Sequence, residues 1–119
     1  MTSLAPAVFK TAEENNQTIY FIGSKKNEIE SAVTKIAAKY PNLKIVGYND
    51  GYIKNYEKKV LKTILELSPD IVIVGMGAGL QEQFLIKLKG MTPDTITIFT
   101  LLSTSPKLNI IPYNGSNTK

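Results

Sequence analysis

The apolar residues of this chain fall into two rhythms that alternate from the N-terminus almost to the end. Over residues 3–16, Leu4, Val8 and Ala12 share one helical face. Ser3 is placed to cap that helix, and Pro6 lies in its first turn, where a missing N–H costs little. Residues 17–22 follow a different rule. Ile19, Tyr20, Phe21 and Ile22 form an unbroken apolar run that stops at Gly23, the pattern of a buried strand. Asn27 can cap a second helix, whose Ile29, Val33, Ile36, Ala37 and Tyr40 keep helical spacing until Pro41-Asn42 ends it. The same logic predicts strands over 43–46, 71–74 and 94–101, and helices over 54–67 and from near Leu80 to about Gly90. One local alternative stands: residues 43–56 also read as a hairpin turning at Asn49-Asp50-Gly51, since Asp-Gly is a strong turn signal.

Near-continuous apolar strands joined by amphipathic helices predict an α/β fold. The expected form is a Rossmann-like three-layer αβα domain with a mainly parallel sheet of about four strands. It is expected to span residues 1–101. Residues 102–119 carry Pro106, Pro112, Gly115 and several Ser, Thr and Asn residues without periodicity, and predict an irregular C-terminal tail. A length of 119 residues fits one compact domain.

Composition narrows the chemistry. The chain has no cysteine and no histidine, which removes disulfides, thiolate nucleophiles, a Ser-His triad and imidazole metal ligands. The net charge of +4 comes from lysines alone. Lysines scattered over solvated helix faces account for it, and without arginine the commonest base contact of nucleic-acid readers is missing, so no nucleic-acid partner is expected. No Asp-x-Asp pair closes a strand, so no metal is expected; no cofactor is expected either. The N-terminal residues lack a basic region and a long apolar core, and no run approaches ~18 apolar residues, so a cytoplasmic protein is the expectation.

The candidate chemistry sits after the strands. Three of them end in glycine-bearing loops: Gly23-Ser24-Lys25, Gly47-Tyr48-Asn49-Asp50-Gly51 and Gly75-Met76-Gly77-Ala78-Gly79. In a parallel sheet all three open on one edge, where open α/β sheets bind ligands. Glycine's backbone freedom alone explains any single loop, and three less well. The third loop is the most informative, because a helix follows at once and its free N–H groups suit a diphosphate. Gln81, in that helix's first turn, can hydrogen-bond a phosphate or a sugar hydroxyl, while Glu82 complements the helix dipole.

Read together, these segments resemble a known family. Residues 71–82, running Ile71-Val72-Ile73-Val74-Gly75-Met76-Gly77-Ala78-Gly79-Leu80-Gln81-Glu82, are similar to the "VGLGSPKQE" signature of WecG/TagA/CpsF glycosyltransferases. Tyr20-Phe21-Ile22-Gly23 resembles the family's strand ending in Leu-Gly-Gly. The stretch from Tyr40-Pro41-Asn42-Leu43 through Gly47-Tyr48 to Asp50-Gly51-Tyr52 looks like its "YPxLxIVGxxxGYF" segment. The resemblance implies transfer of an N-acetylmannosamine-type sugar from a UDP-sugar donor to a polyprenyl-diphosphate-linked acceptor, in teichoic acid or other cell-envelope polysaccharide synthesis. It places Gly47, Tyr48, Gly75, Gly77 and Gln81 at the UDP-sugar site and the protein at the inner face of the membrane; the strand-end loops add Gly23 and Asp50 to the expected site.

The sequence departs from the family where Gly79 replaces the signature proline, and members of the family are about twice as long. The expectation is therefore a partial glycosyltransferase domain, with Asp50 as the loop carboxylate nearest to chemistry but better suited to shaping the turn before Gly51. Two other readings are a non-catalytic nucleotide-binding or interaction domain, and a polyanion binder driven by lysines. A sheet edge left exposed would favour pairing between copies.

Overall fold

The computed structural model describes residues 5–23, 25–51, 57–75, 80–93, 95–104 and 107–112, the side chains of 5–7, 80–81, 101–104 and 107–112 excepted. Helix and strand alternate as the apolar rhythm demands: α1 (Ala5–Glu14), β1 (Thr18–Gly23), α2 (Lys26–Lys39), β2 (Lys44–Asn49), α3 (Glu57–Leu67), β3 (Ile71–Gly75), α4 (Leu80–Met91) and β4 (Thr97–Thr104), followed by β5 (Lys107–Pro112). The strands form one sheet in the order β2-β1-β3-β4-β5. The first four are mutually parallel and β5 runs antiparallel to β4.

Alternation along each strand sorts the core into two halves. Tyr20 and Ile22 of β1, Val72 and Val74 of β3 and Ile98 of β4 pack with Val60, Leu61 and Ile64 of α3 and Phe84, Leu85 and Leu88 of α4. Ile19, Phe21, Ile71 and Ile73 point the other way, onto Phe9 and Ala12 of α1 and Ile29 of α2. The result is a three-layer αβα domain. β1 and β3 are buried along nearly their whole length because helices cover both faces, and each fully buried Ile, Val or Phe contributes roughly 1.5–3 kcal/mol of transfer free energy. β2 has one neighbour only and alternates between exposed and half-buried positions, as an edge strand does.

Asp70 stitches the lower edge of the sheet. Its carboxylate accepts the Thr18 N–H at 2.9 Å, its own N–H donates to the Thr18 hydroxyl at 3.0 Å, and its carbonyl accepts the Thr97 N–H at 2.9 Å. One residue thereby aligns the starts of β1, β3 and β4, using backbone groups that no ladder satisfies.

Several expectations are corrected. β2 continues through Gly47 and Tyr48 to Asn49 and pairs in parallel with β1, which removes the hairpin reading: the Asp-Gly signal marks the exit from the strand, not a reversal between strands. α2 begins at Lys26 with Lys25 at its N-cap, so Asn27 lies inside the first turn and Glu28 accepts the Lys25 N–H instead, at 3.4 Å. The fourth strand begins later, at Thr97, and runs on to Thr104. The expected irregular tail contains β5, whose Lys107 pairs with Thr104 and whose Pro112 pairs with Phe99. Proline at the last position of an edge strand removes no needed hydrogen bond. The Ser3 cap lies outside the described residues, as do the first residues expected for the third helix.

Candidate functional site

The order of strands defines a crevice. From β1 the chain leaves through α2 on one face to reach β2, and from β3 it leaves through α4 on the opposite face to reach β4. The connections diverge between the carboxyl ends of β1 and β3, which is the switch point where open α/β sheets bind ligands. Gly23 and Gly75 occupy those ends and are register partners. Gly23 has φ of +150°, and a Cβ there would meet the Gly75 carbonyl oxygen and lie 2.6 Å from its carbonyl carbon. The two backbones approach so closely that only glycine fits at Gly23. At this point the wall of the crevice is main chain without side chains.

α4 starts at Leu80, shortly after that wall, with Glu82 in its first turn. Gln81 is the second residue of this helix, where backbone N–H groups have no helical acceptor. Gly77 lies outside the described residues, and Gln81 is described by its backbone only.

Around β2 the picture changes. The β1–β2 register shifts between Ile19 and Tyr20, so that Ile45 faces Ile19 while Gly47 faces Tyr20, and Val46 is the extra residue of a bulge. A Cβ on Gly47 would lie 2.6 Å from Cε1 of Tyr20. The missing side chain thus makes room for the tyrosine ring, which covers Gly47 from the α3 side. Beyond it the Tyr20 hydroxyl donates to Oδ1 of Asn49 at 2.5 Å. Burial pushes the Tyr20 phenol above its ordinary pKa, keeping that donor proton in place. Tyr48 pairs with Phe21 and so points to the opposite face of the sheet, 41% exposed. Asp50 and Gly51 follow directly, Asp50 half-buried and Gly51 buried.

Of the residues singled out from sequence, the structure brings Gly23 and Gly75 together and places Gln81 in the helix that follows. It separates Gly47 from Tyr48 by turning them to opposite faces. It adds Asn49 and Lys59, which border an open cleft of about 290 Å³ together with Val60 and Thr63, and Tyr20, which holds the Asn49 amide. Asn49 escaped sequence reading because it stood in an expected turn. The available signal was a glycine within a strand beside an aromatic-bearing strand, a pairing that places the ring over the gap.

A family model for the glycosyl transferase WecG/TagA/CpsF family matches residues 1–100. The chain belongs to that family. Among characterised members of the WecG/TagA/CpsF family, it is 37% identical over 87 residues to N-acetylglucosaminyldiphosphoundecaprenol N-acetyl-beta-D-mannosaminyltransferase of Bacillus subtilis strain 168, covering 73% of this chain and 34% of that protein. It is 37% identical over 90 residues to UDP-Gal:alpha-D-GlcNAc-diphosphoundecaprenol beta-1,4-galactosyltransferase of Shigella boydii, covering 74% of this chain and 38% of that one. A Staphylococcus aureus mannosaminyltransferase of the same name as the Bacillus enzyme is 29% identical over 87 residues. The chain spans about a third of the length of these curated relatives. Among the described residues, no helix is long and apolar enough to cross a membrane.

Proposed function

We propose that this chain forms the nucleotide-sugar-binding part of a WecG/TagA/CpsF glycosyltransferase. In this reading it helps move an N-acetylmannosamine-like sugar from a UDP-sugar to a polyprenyl-diphosphate-linked acceptor, in cell-envelope polysaccharide or teichoic acid synthesis at the inner face of the membrane. The observation that carries the reading is the crevice between Gly23 and Gly75, with bare backbone on its wall and the start of α4 just beyond. A diphosphate is bound by main-chain N–H groups and a helix N-terminus without any arginine, which suits a chain that has none. The names of the Bacillus and Shigella relatives share a GlcNAc-diphosphoundecaprenol acceptor and differ in the sugar moved. Their common acceptor favours the same class of acceptor here, and their different sugars leave the mannosamine-type donor resting on the sequence resemblance.

Calorimetric titration with UDP, with ADP as control, tests the reading on wild type and on Gln81→Ala. The expected outcome is saturable UDP binding, weakened about tenfold by Gln81→Ala, as loss of one hydrogen bond to a charged group implies. A folded chain that ignores UDP and UDP-N-acetylmannosamine would sink it and leave an interaction domain built on the same fold.

A further inference from the structure

The cleft between the end of β2 and α3 carries a cation and no acid among its described lining residues. Asn49, Lys59, Val60 and Thr63 border it. Asn49 accepts the Tyr20 hydroxyl on its amide oxygen, which orients the amide and sets its nitrogen, a donor of two protons, on the other side. Thr63 donates its hydroxyl proton to the Lys59 carbonyl at 3.0 Å, so its oxygen can only accept further hydrogen bonds. Lys59 brings an ammonium, which only donates. The ion pair between these helices joins Lys87 to Glu57 at 2.7 Å, and among the described residues Lys59 makes none. No carboxylate stands among the described residues bordering the cleft. A positive charge, an oriented amide donor and no acid among the described lining residues favour a group that carries negative charge and accepts hydrogen bonds.

The position of Lys59 is also costly for the helix. It lies in the first turn of α3, as Lys58 does, where the partial positive charge of the helix end disfavours a cation. A bound anion would turn that local conflict into an attraction, and conflicts of this kind concentrate at functional sites.

We infer that this cleft is a subsite for a phosphate group, with Lys59 supplying the charge, the Asn49 amide the directional hydrogen bond, and Tyr20 the fixed orientation of that amide. The inference deepens the proposed function, in which donor and acceptor both carry a diphosphate. The subsite lies one strand outward from the Gly23–Gly75 crevice, since β2 flanks β1 on the side away from β3, a step of about 4.8 Å. The shared chemistry of the two sources is a phosphate with free non-bridging oxygens, and the experiment separates them.

Inorganic pyrophosphate is titrated into the full chain by calorimetry, with thermal melts confirming that each variant is folded. Wild type binds saturably, Lys59→Gln binds about tenfold more weakly, and Asn49→Asp, which sets a carboxylate against the anion, abolishes binding. Tyr20→Phe keeps the ring, loses the hydroxyl and weakens binding about threefold. Competition by UDP or by geranyl diphosphate then names the nucleotide or the isoprenoid as the source. Pyrophosphate binding that is absent from folded wild type, or equally tight in wild type, Lys59→Gln and Asn49→Asp, overturns the inference. Lys59-dependent pyrophosphate binding in a chain that ignores UDP supports the subsite and refutes the donor reading. UDP binding alongside Lys59-independent pyrophosphate binding does the reverse.

Discussion

Gly23 and Gly75 face each other across the β1–β3 pair with no space between them for a methyl group. Both conformation and contact hold Gly23 to glycine: its φ is +150°, and an added Cβ would sit 2.9 Å from the Gly75 Cα. Gly23→Ala should therefore destabilise the fold by roughly 2 kcal/mol or more, combining backbone strain with overpacking. Urea denaturation checks this, with the midpoint falling and the slope unchanged. A substitution within 0.5 kcal/mol of wild type would mean that the two backbones do not meet as described.

Gly47 and Tyr20 form the second close pair, and here the obstacle is a side chain. Gly47→Ala places a methyl against the Tyr20 ring and should cost about 1–3 kcal/mol. Shortening the ring relieves the clash, so Tyr20→Leu combined with Gly47→Ala should cost less than the sum of the single changes. The cycle should show a coupling of at least about 0.5 kcal/mol in thermal or urea unfolding.

At the lower edge, Asp70→Ala removes the acceptor of the Thr18 N–H and leaves that part-buried donor unmatched. A loss of about 1–3 kcal/mol is expected. Because Asp70 lies at the opposite edge from the glycine crevice, UDP affinity measured below the melting transition should stay within about twofold of wild type. A large loss of affinity in a folded Asp70→Ala chain would contradict the separation of the two edges.

Tyr20 gives a pH dependence with a definite sign. Burial raises its phenol above the ordinary value of 10.0, so between that value and the folded-state value the native chain holds more protons than the unfolded one. Stability contributed by the protonated phenol is fully present below pH 10 and is lost as the pH rises through the folded-state value. Lysines titrate in the same range, so the informative comparison is with Tyr20→Phe. Urea midpoints followed through alkaline pH should fall less steeply in that variant than in wild type.

The architecture was largely legible because β1 and β3 are the innermost pair of the parallel sheet. Helices on both faces force unbroken apolar runs there, and those runs were the clearest signals in the chain. Edge strands leave weaker marks. β2 needs only half a covering, so its Gly47 and Asn49 read as loop residues until the pairing with β1 is known. β5 pairs with β4 close in sequence, Thr104 with Lys107, but it is short, ends on Pro112 and lies in a stretch whose Pro, Ser and Asn residues mask the strand pattern. The glycine pair of the crevice was legible as two separate loop glycines, while their opposition follows only from strand order. Tyr20, Asn49 and Lys59 were out of reach for the same reason. A bulge brings Asn49 to Tyr20 and the docking of α3 brings Lys59 to Asn49, and sequence distance conceals both.

The stitch made by Asp70 has a consequence for how such proteins change. Three strand starts are held by one residue and its partners at the end of the sheet farthest from the glycine crevice. Beyond the Gly23–Gly75 pair, the rim therefore carries less of the task of keeping the strands in step. Its loops can be rewritten while the layers beneath stay aligned, which is the latitude a lineage needs if kindred chains are to hand on mannosamine in one organism and galactose in another.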